Sequence, residues 1–458
     1  MTGATRADPP KSLRWPTHRE IADVARLALP IVAVQVGLMF MGVVDTAMLG
    51  RVSPSAMAAG ALGNFYWMLV TMIGQGTIQA LDPVVAQAVG ARDGPAIRHG
   101  VQRGLIVATL MAIPAALLLL PAGAILAALG QPAEVAHLAG QYAIACIPGT
   151  LAYFWFSALR QTFQAFGRVW PIVVTIVVAN LANALLDWIM IFGHAGMPPL
   201  GVRGSAWATT LSRWVMCLTV AAAGWPLLRP HLRGSWRAAL SPPALMRMLR
   251  LGVPIGVHQW LEIAAFGGAL LLMGLFGTVP LAAHNVTITI VALTYMVPLG
   301  TSAAAAVLVG HAIGRGDADG ARREASAALA CGVGFMALAA LVITTLPGLL
   351  VRGFTADRAV IALATQLLPI AGAFQVFDGI QGVSSGILRG VGDTRVPMLL
   401  NLLGFVGIGI PVAAWLAFGL DLGPRGVWWG LVICLGVVSA MLGWRVHSRL
   451  GGELRRLE

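Results

Sequence analysis

Charged residues are scarce in this chain. Only 10% of its 458 residues are Asp, Glu, Lys or Arg, whereas 58% are apolar. Soluble domains carry about 25% charged residues, so this composition excludes a soluble globular protein. Lys11 is the only lysine beside abundant arginine and alanine, which favours a GC-rich bacterial genome and therefore a bacterial inner membrane.

Cysteine and the common catalytic motifs are equally sparse. The four cysteines lie far apart within apolar stretches, which indicates neither a disulfide framework nor a metal site: Cys146, Cys217, Cys331 and Cys434. No phosphate-binding glycine loop, HExxH motif or large loop is present, which excludes ATP-driven transport by this chain alone. The net charge of +12 comes from scattered arginines without a basic face, so no nucleic-acid partner is expected.

Long apolar runs fill almost the whole chain. A membrane-crossing helix needs about 20 mostly apolar residues. The sequence predicts an all-α integral membrane protein with twelve such helices, near 27–50, 56–88, 103–121, 137–157, 169–193, 204–224, 247–275, 279–312, 323–346, 360–387, 396–418 and 427–446.

The arginines also predict the topology. With the N-terminus in the cytoplasm, the inner loops and tails carry 24 of the 30 Lys and Arg residues, and the outer loops carry only 5. Short cytoplasmic loops collect positive charge, so both termini are expected to be cytoplasmic. The full-length apolar stretch after the basic N-terminus lacks a cleavage site and therefore does not indicate a removed signal peptide.

Two halves of the chain resemble each other. "LALPI" at 27–31 recurs as "LGVPI" at 251–255, and "VAQAVGARD" at 85–93 recurs as "VGHAIGRGD" at 309–317, both at a shift of 224 residues. Each half holds six spans, an even number, so we expect two six-helix bundles related by a pseudo-twofold axis along the membrane normal. A cavity between two such bundles is what alternating access requires.

This repeat predicts the domain organisation. The chain is divided into an N-terminal lobe and a C-terminal lobe, joined by a basic cytoplasmic linker and flanked by two cytoplasmic tails. In chain order these segments are the tail 1–26, the lobe 27–224, the linker 225–250, the lobe 251–446 and the tail 447–458.

A few acids interrupt the apolar spans of the first half. Asp45 and Asp187 lie toward the outer ends of spans one and five, which run in the same direction, so we expect them at similar depth. Asn183 precedes Asp187 by four residues and shares its helix face. An oxygen-rich set of this kind suits a proton or a hard cation such as Na⁺. The alternative is that these side chains only bond one another to join helices.

Two further acids lie in the second half. Glu262 is near the middle of span seven and Asp378 near the middle of span ten. An intramembrane charge costs about 2.5 to 3.5 kcal/mol on insertion scales, so such residues usually have a task, here pairing with a cationic substrate. Trp260 and Tyr295 are candidate lining residues because aromatic rings stack on planar cations. The alternative is a neutral acid, or one paired with a buried Arg or with His258 one turn earlier.

Two other charged residues carry weaker signals. Asp82 precedes Pro83 near the inner end of span two, where a carboxylate that fixes a bend or pairs a loop arginine explains it as well as transport does. Arg213 lies near the middle of span six and is expected to snorkel or to pair with an acid.

The chain resembles the multidrug and toxic compound extrusion family, within it the NorM-like bacterial branch. The resemblance covers about 27–446 and rests on the order of "VVDTAMLG", "ALDPVVAQAVGARD", "NALLDWIMIFG", "GVRGSAW", "QWLE" and "LRGVGDTRVP". It implies antiport of amphipathic organic cations against Na⁺ or H⁺, with no cofactor. Asp45, Asn183 and Asp187 match the family's N-terminal ion site, with Ser205 beside it, and Glu262 and Asp378 match its C-terminal acidic pair.

The most direct function is therefore a secondary multidrug antiporter whose partners are organic cations and membrane lipids, with no obligate protein partner expected. The coupling ion could bind at the N-terminal set or at Glu262 and Asp378. The alternative within transport is a flippase for lipid-linked precursors, which would line its cavity with basic residues. An intramembrane enzyme would need a nucleophile and base or a metal cluster at membrane depth, and the sequence contains none.

Overall fold

The computed structural model describes residues 14–457 and is helical throughout, with no strand in that range. The predicted tail 1–26 therefore lies partly outside the described residues, as does Glu458. The helices of the first half are α1 (His18–Gly50), α2 (Pro54–Ile78), α3 (Leu81–Gly90), α4 (Gly94–Leu119), α5 (Ala122–Ala128), α6 (Ala133–Ala145), α7 (Ile147–Ala165), α8 (Trp170–Phe192), α9 (Val202–Ala223) and α10 (Trp225–Leu232). Those of the second half are α11 (Pro242–Gly274), α12 (Thr278–Gly314), α13 (Ala318–Thr345), α14 (Pro347–Arg352), α15 (Arg358–Val391), α16 (Arg395–Leu402), α17 (Ile410–Ala414) and α18 (Pro424–Gly451).

The number of membrane-crossing helices agrees with the prediction. Ten helices or helix runs of the described chain are long and apolar enough to cross a membrane. Two bent pairs bring the number to twelve: α6 with α7 turns by 52°, and α9 with α10 turns by 85°. The protein is therefore a multi-pass helical membrane protein.

The helix ends follow local sequence rules. Pro54 begins α2 after Ser53, whose hydroxyl accepts a hydrogen bond from the backbone N–H of Ala56 at 3.0 Å. At its other end, α8 stops at Gly193, which adopts a left-handed φ of 79° that a side chain would disfavour. Two π-helical segments, Leu403–Gly409 and Trp415–Gly419, flank α17 and loosen the eleventh span.

The described chain forms two compact units. One comprises 30–85 and 93–260, and in it α9 packs against α7 and α8 while α2 packs against α6. Its core is built around buried aromatic rings, among them Trp67 and Tyr142. We call this the first unit.

The second unit comprises 14–29, 86–92 and 261–457, with α15 packed against α12, α13 and α18. Phe374 and Trp428 meet edge to face in its core, with ring centroids 5.8 Å apart. The end of α3 belongs to this unit because it crosses the end of α12. There Gly90 lies against the backbone carbonyl of His311, and Gly314 lies against that of Gln87.

Candidate ion and substrate sites

The acids of the first unit come together as predicted from their depth. Asp45 near the end of α1 and Asp187 on α8 have carboxyl groups close enough to interact, and Asn183 is within reach of Asp187. Asn183 and Asp187 are fully buried, one turn apart on the same face of α8. This N-terminal acidic set therefore has the helix-face geometry that the four-residue spacing predicted.

Helix α9 supplies hydroxyl groups to the same set. Oγ1 of Thr209 lies 3.1 Å from Oδ2 of Asp45 and 2.9 Å from the backbone carbonyl oxygen of Ser205, either of which accepts its hydrogen bond. Tyr142 on α6 is hydrogen-bonded to Thr209 and is almost fully buried. The set is thus enclosed by four helices and surrounded mainly by oxygen atoms.

Several buried oxygen atoms of this set have no hydrogen-bond donor among the described residues. These atoms are Oδ1 of Asp45, both carboxyl oxygens of Asp187, Oδ1 of Asn183 and Oγ of Ser205. Burying such groups without partners is costly, by about 1–3 kcal/mol each and more for charged groups. Oxygen-only surroundings with open lone pairs suit a proton or a hard monovalent cation as an exchanged substrate.

Arg213 is the cation nearest to this set along α9, one turn after Thr209. It does not snorkel, because its side chain is buried and its guanidinium carbon lies 3.4 Å from the ring centroid of Trp67. That indole donates its own N–H to Oγ1 of Thr150 at 2.9 Å. The arginine is therefore held by a cation–π contact, which disperses its charge without an ion pair.

The acids of the second unit share one aromatic partner. The hydroxyl of Tyr295 on α12 is hydrogen-bonded to Glu262 on α11, and Asp378 on α15 lies close enough to interact with both groups. Asp378 is buried, and its Oδ1 has no hydrogen-bond partner among the described residues. Glu262 and Tyr295 are half-buried. The structure therefore brings together three of the four residues predicted here, and we call them the C-terminal acidic set.

Close packing fixes this set. The hydroxyl of Tyr295 packs against Gly382, one turn after Asp378 on α15, where a Cβ atom would lie 3.2 Å from it. One turn before Tyr295's neighbour Asp378, Gln375 donates a hydrogen bond to Oγ1 of Thr294 at 2.7 Å. Contacts on both sides therefore set the distance between α12 and α15.

The other predicted residues are placed differently. Trp260 is 38% exposed and precedes Glu262 by two residues, so it points to nearly the opposite side of α11. His258 and Asp82 are both buried, and both have interacting partners. Along the described chain, no cluster of three or more His, Cys, Asp or Glu side chains is arranged for a metal ion.

Sequence reasoning missed Thr209 and Tyr142. A buried threonine is common in apolar helices because its hydroxyl bonds its own helix, so it gives no separate signal. The available signal was the spacing of Ser205, Thr209 and Arg213, which puts three polar side chains on one face of α9 at four-residue intervals.

Twelve helical spans with buried acidic sets in both units define a polytopic secondary transporter. Residues 30–189 and 254–415 match the MatE family, and the chain belongs to it. As family members are transporters, the protein is a transporter and not an enzyme, as expected from its sequence. It is 36% identical to the multidrug resistance protein NorM of Burkholderia vietnamiensis, over 98% of this chain and 97% of that protein.

Two solved structures show the same fold. A eukaryotic MATE transporter superposes with a TM-score of 0.86 at 23% identity, over 94% of this chain and 97% of that one. A multidrug resistance MATE family transporter in an outward-facing conformation gives 0.85 at 20% identity, over 94% and 96% of the two chains. The predicted family and fold class are thereby confirmed.

Proposed function

We propose that the protein exports amphipathic organic cations from a bacterial cell by antiport with Na⁺ or H⁺ through alternating access. The observation that carries this proposal is the pair of buried acidic sets, one in each unit. The multidrug resistance name of the relatives supports an organic passenger of broad specificity.

Each set has a distinct part in the proposal. The N-terminal acidic set, with Asp45, Asn183, Asp187 and the hydroxyls of Ser205 and Thr209, binds the coupling ion. The C-terminal acidic set, with Glu262, Tyr295 and Asp378, pairs with the organic cation, because a half-buried carboxylate beside an aromatic ring attracts a planar cation. Acidic rather than basic side chains at these positions favour a cationic passenger over a lipid-linked phosphate.

The test is transport in liposomes that contain the purified protein. Ethidium movement is followed after a Na⁺ gradient or a proton gradient is imposed separately. One of the two gradients should drive ethidium transport, and Asp187→Asn or Asp378→Asn should abolish it.

The matched controls remove an acid from the surface of each unit. Glu134 and Asp421 are exposed, so Glu134→Gln and Asp421→Asn should transport like the wild type. Undiminished transport by Asp45→Asn, Glu262→Gln and Asp378→Asn would refute the assignment.

A further inference from the structure

The first unit contains an apolar groove away from both acidic sets. It has a volume of about 400 Å³, and helices α4, α7, α9 and α10 form its walls. Four indole rings line it, those of Trp155, Trp214, Trp225 and Trp236, together with aliphatic side chains. We call it the tryptophan groove, and its size is typical of a small-ligand site.

The groove is shaped in advance by contacts among its own walls. Nε1 of Trp155 donates to Oγ1 of Thr109 at 2.9 Å, and its ring meets that of Trp214 edge to face, with centroids 6.2 Å apart. At the rim, Leu218 is 63% exposed and Trp225 is 50% exposed. Because these apolar residues belong to a membrane protein, the groove opens toward the surrounding lipid.

Basic side chains border one end of this groove. Arg229 follows the lining residue Leu228, Arg233 follows Leu232 and Arg237 follows Trp236. All three arginines are exposed. No acidic residue occurs between Asp187 and Glu262, so this segment has no carboxylate of its own to neutralise them.

Two arginines of α4 extend the cluster and lack partners for part of their donors. Nε of Arg98 and Nε of Arg103 are buried without a hydrogen-bond partner among the described residues. Arg98 lies close enough to His231 to interact with it, and Arg103 likewise interacts with Arg247. Cations crowded in this way, with donors left over, favour a bound anion.

We propose that the tryptophan groove and this basic cluster bind one anionic phospholipid, with an acyl chain in the groove and the phosphate against the arginines. A basic pocket between membrane helices next to an apolar surface is suited to an anionic headgroup, and burial of a chain adds affinity that free phosphate lacks. A zwitterionic lipid brings its own cation into the cluster and therefore binds more weakly. The site is separate from ion coupling and does not depend on the proposed export.

Native mass spectrometry of the purified full-length protein tests this directly. Phosphatidylglycerol and phosphatidylcholine are titrated separately, and the retained lipids are counted. The wild type should retain phosphatidylglycerol roughly tenfold more strongly, since each arginine near an anionic surface contributes about 1 kcal/mol. Arg229→Gln with Arg233→Gln should remove this preference.

A matched pair controls for the loss of charge. Arg352 and Arg358 are also exposed but lie in the second unit, so Arg352→Gln with Arg358→Gln should keep the preference. Ala221→Trp fills the groove without changing the charge and should weaken binding of both lipids. Equal retention of the two lipids by the wild type, an equal loss in the control pair, or displacement of the lipid by inorganic phosphate would overturn the proposal.

Discussion

At the scale of residues, the N-terminal acidic set is unusual because its oxygen atoms outnumber the donors that surround them. Asp187 and Asn183 are fully buried and leave both carboxyl oxygens and the amide oxygen without a donor. Two neighbouring carboxyl groups in a medium of low dielectric constant are not both ionised unless a cation lies between them. The set is therefore stable either with a shared proton or with a bound cation, which is what exchange requires.

Thr209 is the residue whose role is most easily isolated. Thr209→Val keeps the shape of the side chain but removes the hydroxyl that lies 3.1 Å from Oδ2 of Asp45. A hydrogen bond to a charged group contributes about 1.5–3 kcal/mol, so half-maximal ethidium efflux should need roughly tenfold more coupling ion. Thr209→Ser retains the hydroxyl and should behave like the wild type. An unchanged ion requirement in the valine variant would exclude Thr209 from the site.

Tyr295 tests the C-terminal acidic set in the same way. Tyr295→Phe keeps the aromatic ring but removes the hydrogen bond to Glu262. Because the ring remains, cations should still bind, while a less well positioned carboxyl should raise the KM for ethidium severalfold with little change in maximal rate. Tyr295→Leu removes ring and hydroxyl and should raise the KM further. If the phenylalanine variant matches the wild type, Tyr295 has no positioning role.

The acids were predictable from sequence because a charge within an apolar run is conspicuous at any depth. Asn183 and Asp187 also had the right spacing to share a helix face. The bonds from Thr209 to Asp45 and from Tyr295 to Glu262 were not predictable, since each joins residues on different helices whose rotation about their axes the apolar pattern does not determine. For the same reason Trp260, although two residues from Glu262, does not share its side of α11.

At the scale of elements, the crossing of α3 and α12 depends on two glycines. A Cβ at Gly314 would overlap the carbonyl oxygen of Gln87, and one at Gly90 would overlap that of His311. Both contacts are with backbone, which cannot move aside as a side chain can. The sequence repeat contains the same pair, since Gly90 and Gly314 differ by the shift of 224 residues.

Gly314→Val should therefore separate the two helices or distort them. Overpacking of this kind costs about 1–3 kcal/mol, so the purified protein should melt several degrees lower and transport more slowly. Gly334→Ala in α13 adds a Cβ where no atom lies within 4 Å, and it should leave the melting temperature unchanged. A Gly314→Val protein as stable as the wild type would show that this close crossing is not needed.

The twelve spans were predictable because their length and apolar composition are set by the thickness of the bilayer. Their interruptions were not. The 52° bend between α6 and α7 falls near Cys146, and the 85° bend between α9 and α10 falls at Gly224, within or beside apolar sequence. Bends and π-helical segments change how carbonyls are paired and not how apolar a span is, so a hydropathy pattern does not reveal them.

At the scale of the whole molecule, the distribution of arginine is the strongest remaining constraint. The segment 225–250 carries five arginines and no acid, while the loop between α8 and α9 carries one arginine. Transfer of short, positively charged loops across the membrane is disfavoured, so the segment 225–250 should be cytoplasmic and the loop 193–201 should face outward.

Single cysteines placed in these two segments test the topology. Ser235 and Met197 are both exposed, whereas three of the four native cysteines are buried and Cys331 is half-buried. In intact cells a membrane-impermeant maleimide should label Met197→Cys but not Ser235→Cys, and permeabilised cells should label both. The wild type measures the background from native thiols. The reverse pattern would place the arginine-rich segments outside, and the proposed direction of cation export would then be wrong, since the N-terminal acidic set would lie nearer the cytoplasm.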